Sequence, residues 1–302
     1  MLKNRFKNYL LLHLIVFIWG FTAILGALIT IDAIPLVFFR MGLAVIFITI
    51  YFLFKRKSFY VDKKGLLKFL ITGITIALHW IFFFKAIKVS NVSVALVTMS
   101  TGAFFTSLIE PIFFKRKLKL LEIILGLLVI VGLYIIFNFE SQYKLGIGYA
   151  LLSSFLGSLF AVLNGLFIKK YSASSISLYQ LLFGTLFVTF YLFLNNSFSI
   201  SFFSLHKSDW IYLLILSSIC TAYAFIASVK VMKYLSPYTV MLTINLEPVY
   251  AIILALFVFG DKEKMKPEFY LGACIVLGVV LINGIIKNKS LIKQKILQKV
   301  KK

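Results

Sequence analysis

The chain has 302 residues, 61% hydrophobic and only 14% charged, where soluble domains average roughly 45–50% apolar and 25% charged. That balance excludes a soluble globular domain and points to an integral membrane protein. A formal net charge of +22 suggests a nucleic-acid binder at first sight, but the charge follows the loops in a way that argues for membrane topology instead.

The basic start, Met1-Leu2-Lys3-Asn4-Arg5-Phe6-Lys7, precedes an apolar run too long for a signal-peptide core and closed by no Ala-x-Ala-like site. A retained first transmembrane helix is expected. Ten apolar segments can be drawn, at roughly 9–31, 33–54, 66–87, 91–114, 120–138, 145–168, 174–194, 210–229, 237–260 and 269–286. Most have ~19–24 residues, enough for a helix to cross a bilayer core.

The first segment carries Trp19, deep enough to line a cavity or to pack as core. Arg40 lies five residues after Pro35, ~7–8 Å into the second segment. It either grips a carboxylate or phosphate with its planar fork or snorkels to the interface. In the third segment His79 and Trp80 sit well inside, and His79 either titrates or bonds a neighbouring helix. Lys85, nearer an end, reads as an interfacial anchor. Glu110 closes the fourth segment five residues before Lys115 and is expected at the inner interface or paired with a base.

The sixth segment repeats small residues at helical spacing, Gly146, Ala150, Ser154 and Ser158 beside Gly157, Ala161 and Gly165. Such stripes admit a close neighbour, read here as a helix of the same bundle rather than a second copy. Gln180 falls near the place in the second half that Arg40 holds in the first. Cys220 and Cys274 lie in apolar segments and predict no disulfide. Tyr223 is deep in the eighth segment, as cavity lining or as packing.

The ninth segment is the most informative. Glu247 stands ten residues after Pro237, ~15 Å in and about halfway through the core. A carboxylate there needs a partner, a water-filled cavity or a proton. Pro248 has no N–H, so the Ile244 carbonyl loses its helical partner and the helix can bend or open. Asn245 can share that bend only if the helix is broken, because helical spacing puts it on another face. The plain alternative is a proline kink with a protonated, hydrogen-bonded glutamic acid and no functional role. The lysine-rich stretch after Ile286, with Leu291, Ile292, Ile296 and Leu297, reads as a surface amphipathic helix or a solvated tail.

With the N-terminus inside, the inner loops and tails hold 24 Lys and Arg against Asp62 and Glu122, while the outer loops hold six bases and six acids. Both termini are therefore expected in the cytoplasm, with anionic lipid head groups as partners and no nucleic acid. Leu125–Gly132 matches Leu271–Gly278 at an offset of 146, and the same offset pairs Ser90 with Ser236. The pattern predicts a duplicated unit, 1–144 and 145–286, followed by a basic tail 287–302. Five helices per unit force opposite orientations. The expected fold is an all-α integral membrane protein of ten transmembrane helices in two inverted five-helix repeats.

Trp19-Gly20, Pro35 through Arg40, the Ala86-Ile87-Lys88-Val89-Ser90 turn, Leu246-Glu247-Pro248-Val249 and Phe259-Gly260-Asp261 occur in order over nearly the whole chain. In these features the sequence resembles the EamA-type carriers of the drug/metabolite transporter superfamily. The resemblance implies a carrier of small metabolites, often amino acids or related compounds, moved out of bacterial cells through the cytoplasmic membrane. Where such carriers place an acid after Phe-Leu-Gly at the end of the fourth helix, this chain reads Phe113-Phe114-Lys115. The expected site comprises Glu247, Arg40, Asn245, Trp19, His79, Gln180 and Tyr223, with Pro248 as hinge and proton coupling through Glu247. No metal, cofactor or catalytic residue is expected, since no enzyme motif is found. The alternatives are an exchanger of sugar phosphates or nucleotide sugars, an integral membrane enzyme, or a sensor.

Overall fold

The computed structural model describes residues 2–115, 117, 120–139, 141–279, 282 and 286, and among them it contains helices and no strands. The chain runs through α1 (Leu2–Leu28), α2 (Ala33–Phe54), α3 (Lys63–Val89), α4 (Val92–Met99), α5 (Gly102–Phe114), α6 (Leu120–Phe139) and α7 (Lys144–Phe167). It continues through α8 (Ala173–Leu194), α9 (Ile200–Phe203), α10 (Lys207–Ser217), α11 (Ala224–Val231), α12 (Pro237–Ile244), α13 (Glu247–Phe259) and α14 (Pro267–Val279).

Eight spans among the described residues are long and apolar enough to cross a membrane: α1, α2, α3, α4–α5, α7, α8, α10–α11 and α12–α13. The fifth and tenth expected segments fall on α6 and α14. Their described apolar stretches, Leu127–Ile136 and Pro267–Val279, are shorter than the ~20 residues a crossing needs. Residues 287–302, with the expected tail helix, lie outside the described residues. Large apolar side chains such as Phe54, Phe190, Phe193 and Phe257 point outward, as lipid permits and water does not.

The centre of the bundle is α3, which packs on α7 and α8, while α2 lies along α8 and α1 along α13. The α3–α8 crossing is made close by Gly73 and Gly184, where an added Cβ on either would strike the opposite backbone. The small-residue stripe of α7 faces α4 and α5. Ser154 Oγ donates to the Met99 carbonyl at 3.0 Å and Ser158 Oγ to the Gly102 carbonyl at 2.8 Å. Those carbonyls flank the interruption between α4 and α5, so α7 donates to the backbone on either side of it.

Two spans are interrupted, and in the same way. α4 and α12 have 8 residues each, and α5 and α13 have 13 each. Val92 to Pro237 and Gly102 to Glu247 are both separations of 145 residues. The same separation pairs the N-caps Asn91 and Ser236, and the C-caps Lys115 (φ 51°) and Gly260 (φ 58°). The sequence offset of 146 is thus one residue out of register here, and Glu247 corresponds to Gly102 rather than Thr101. The longest loop is not an open strand of chain. In residues 195–206, Phe198, Phe202 and Phe203 fold onto Phe38 and Phe39, with Trp210 against Phe39, as an aromatic lid over one end of α2.

Candidate functional site

The gap between α12 and α13 opens onto a cavity with about 100 Å³ of room for solvent, reached by Glu247, Arg40, Trp19, His79 and Trp80. That holds several waters. It is smaller than the ~300–1,000 Å³ typical of ligand pockets, so a bound metabolite requires some widening. Glu247 is the first residue of α13, and Pro248 the second. A proline at that position gives up an N–H that no helical carbonyl was going to accept. The Pro248 bend inferred from sequence is an interruption of two residues, Asn245 and Leu246, which form a tightened turn between two helical pieces of one span.

Arg40 is only 2% exposed, so it does not snorkel. Its guanidinium lies 3.9 Å from the centroid of Trp80 and 5.4 Å from that of Phe84. Its Nε donates to Thr221 Oγ1 at 2.7 Å, while Nη1 has no partner among the described residues. Thr221 reaches Arg40 because Ser218–Tyr223 form a π-helical turn. Thr221 Oγ1 in turn donates to the Leu216 carbonyl five residues back, at 2.7 Å. Such turns insert one residue and rotate the rest of the helix about its axis. The same rotation carries Tyr223 outward: it is 48% exposed and does not line the cavity, contrary to the sequence expectation.

The other expected residues divide between wall and support. Trp19 lines the cavity with its ring and donates Nε1 to the Cys220 carbonyl at 3.0 Å. His79 also lines it, with Nδ1 2.8 Å from the Ser153 carbonyl and 2.9 Å from Ser153 Oγ. Asn245 caps α12, buried and away from the cavity lining. Gln180 stands one layer back, and its Nε2 donates to Asn164 Oδ1 at 2.6 Å and to Thr72 Oγ1 at 2.8 Å.

Asn164 is the residue that sequence reasoning missed. It lines the cavity, and its Nδ2 has no partner among the described residues. The signal was present, because Gly157, Phe160, Ala161 and Asn164 recur at helical spacing and all four line the cavity. Phe225 and Ser228 of α11, and Met232 just after it, also line the cavity. Both cysteines are free, and no group of His, Cys, Asp or Glu fit to hold a metal occurs among the described residues.

A family model described as the EamA-like transporter family matches the chain twice, over residues 6–138 and 144–284. No curated protein matches it significantly. Among solved structures, one described only as the crystal structure of a protein superposes with a TM-score of 0.68 at 14% identity. The match covers 93% of this chain and 98% of that one, and at such identity it speaks to the fold alone. With both halves matched, the chain belongs to the EamA-like transporter family of the drug/metabolite transporter superfamily and is a multi-pass membrane protein.

Proposed function

We propose that the chain is a secondary transporter that moves small polar metabolites, amino acids or related compounds, by alternating access across a bacterial cytoplasmic membrane, chiefly outward. The observation that carries this reading is the cavity at mid-bundle faced by one buried arginine and, at the break between two half-helices, one carboxylate. An α-carboxylate suits the free Nη1 of Arg40 and an α-ammonium suits Glu247. Trp19, Trp80, Phe83 and Phe160 then surround the remainder. Glu247 is the group on which a coupling proton would ride. The two five-helix units, 1–144 and 145–286, are inverted repeats, and the matched interruptions of α4–α5 and α12–α13 support that arrangement. Both termini face the cytoplasm, where the basic loops meet anionic lipid.

An exchanger of sugar phosphates would call for several buried bases. Among the residues lining this cavity Arg40 is the one base of fixed charge, and Glu247 opposes it. The test is a comparison of the medium around cells with and without the protein. At least one amino acid or close relative is expected to accumulate outside only when the protein is present. Unchanged levels of all of them would overturn the substrate class.

A further inference from the structure

Two carboxylates outside the cavity bond to helix starts in the other half of the chain. Glu263 follows α13, in the second half, and reaches the start of α4 in the first. Its Oε1 accepts from Val92 N at 3.0 Å, and its Oε2 accepts from Ser93 N at 2.9 Å and Ser93 Oγ at 2.7 Å. Glu110 lies in α5, in the first half, and reaches the start of α12 in the second, where its Oε2 accepts from Tyr238 N at 3.1 Å. Each half therefore uses one carboxylate to cap the leading half-helix of the other.

The capping is divided between near and far partners. Asn91 takes the Val94 N–H, and Glu263 takes those of Val92 and Ser93. Ser236 takes the Thr239 N–H, Glu110 takes that of Tyr238, and Pro237 has none to offer. The local caps stay with their helices whatever the halves do, while the carboxylates hold only when the halves are closed together. Both are buried, and a carboxylate at a helix N-terminus gains from the dipole as well as from the bonds.

The two ties lie at opposite ends of the bundle. Pro237 and Glu263 bound one 27-residue span, so the α12 start and Glu263 are at its two ends. Each tied piece is 8 residues long, ends at a break in its span, and contributes to the cavity wall, α4 through Met99 and α12 through Val240, Met241 and Ile244. A short rigid piece joined at a break and fastened at its far end is a leaf, a hinge and a latch.

We propose that Glu110 and Glu263 are the positioning residues of the transport cycle. Release of Glu110 lets α12 swing about Asn245–Leu246 and opens the cavity to one face. Release of Glu263 lets α4 swing about Ser100–Thr101 and opens it to the other. The proposal rests on the transport reading above, and its test needs no knowledge of the substrate.

The test places one reporter, Ser228→Cys, on the cavity wall of a chain carrying Cys220→Ser and Cys274→Ser, and labels it with an impermeant maleimide in sealed membranes of either orientation. Glu110→Ala is expected to raise the ratio of labelling from the Lys57 face to labelling from the other face by about tenfold, the order expected for losing a charge-assisted hydrogen bond between the halves. Glu263→Ala should lower the ratio by a similar factor. The glutamine variants, which keep one acceptor oxygen, should shift it in the same directions by less, and the double alanine variant should return towards the parent. Alanine variants that fail to accumulate leave the glutamine pair to be read by the same opposite signs. Shifts of the same sign, or no shift in either pair, would overturn the latches. Unshifted ratios while the unsubstituted chain transports would sink the latches alone, and opposite shifts while the unsubstituted chain moves no solute would sink the transport reading alone.

Discussion

Arg40 shows how a residue's neighbours decide its role. Its side chain is enclosed by Trp80, Phe84 and Thr221, which leaves one guanidinium nitrogen for a ligand. Arg40→Lys keeps the charge but cannot stack or present two prongs, so transport should fall about tenfold or more; Arg40→Ala should fall further while still inserting. Rates equal to the parent in a vesicle flux assay would remove Arg40 from the site. At the end of the bundle, Asp62 accepts from Gly65 N, Lys170 Nζ and Tyr171 OH at 3.2, 2.7 and 2.7 Å. The bonds from Lys170 and Tyr171 hold its carboxyl at about 2, below the usual 3.8. A lowered folded-state value gives stability that is present above pH 3.8 and is lost as the pH falls through about 2. Asp62→Asn should therefore lower the melting temperature slightly at pH 7, and the gap should close between pH 4 and pH 2. A gap unchanged over that range would refute the assignment. Residue types in the spans made Arg40, Trp19, His79 and Glu247 legible from sequence. Tyr223 was not, because a π turn changes helical phase without a fixed sequence mark. Asn164 bears no charge to mark it inside its span, although its spacing from Gly157 and Ala161 places it on the same face.

The elements were legible in proportion to what breaks them. Pro248 announces the gap between α12 and α13, since the missing N–H is a local fact. The matching gap between α4 and α5 has no proline. It is held by Thr101 Oγ1 on the Thr98 carbonyl at 2.8 Å, a local contact, and by the two serines of α7, 55 and 56 residues away in sequence. The first half's own proline, Pro111, lies further on, inside a helix that runs to Phe114. Crossings of α3 and α8 also depend on partners that no local pattern names. At Gly73 an added methyl would meet the Gln180 carbonyl and the Gly184 nitrogen. Gly73→Ala should cost about 1–3 kcal/mol by overpacking, read as a lowered unfolding midpoint in detergent. It should also disturb Gln180 and, through it, Asn164. A midpoint equal to the parent would mean that α3 and α8 stand further apart than described.

For the whole molecule, the charge pattern predicts an orientation, and family membership gives the class. Ser199→Cys, in the long loop, should react with an impermeant reagent on intact cells, and Lys57→Cys should not. Labelling of Lys57→Cys alone would invert the topology. Flux through the cavity that Arg40 and Glu247 share is the central claim. Sealed vesicles holding only this protein, loaded with a mixture of amino acids and followed by mass spectrometry, measure that flux. The parent chain should release at least one amino acid faster than protein-free vesicles. Glu247→Gln, correctly inserted, should lose release driven by a pH gradient while retaining exchange. Release from parent vesicles no faster than from empty ones, for every compound in the mixture, would contradict the claim.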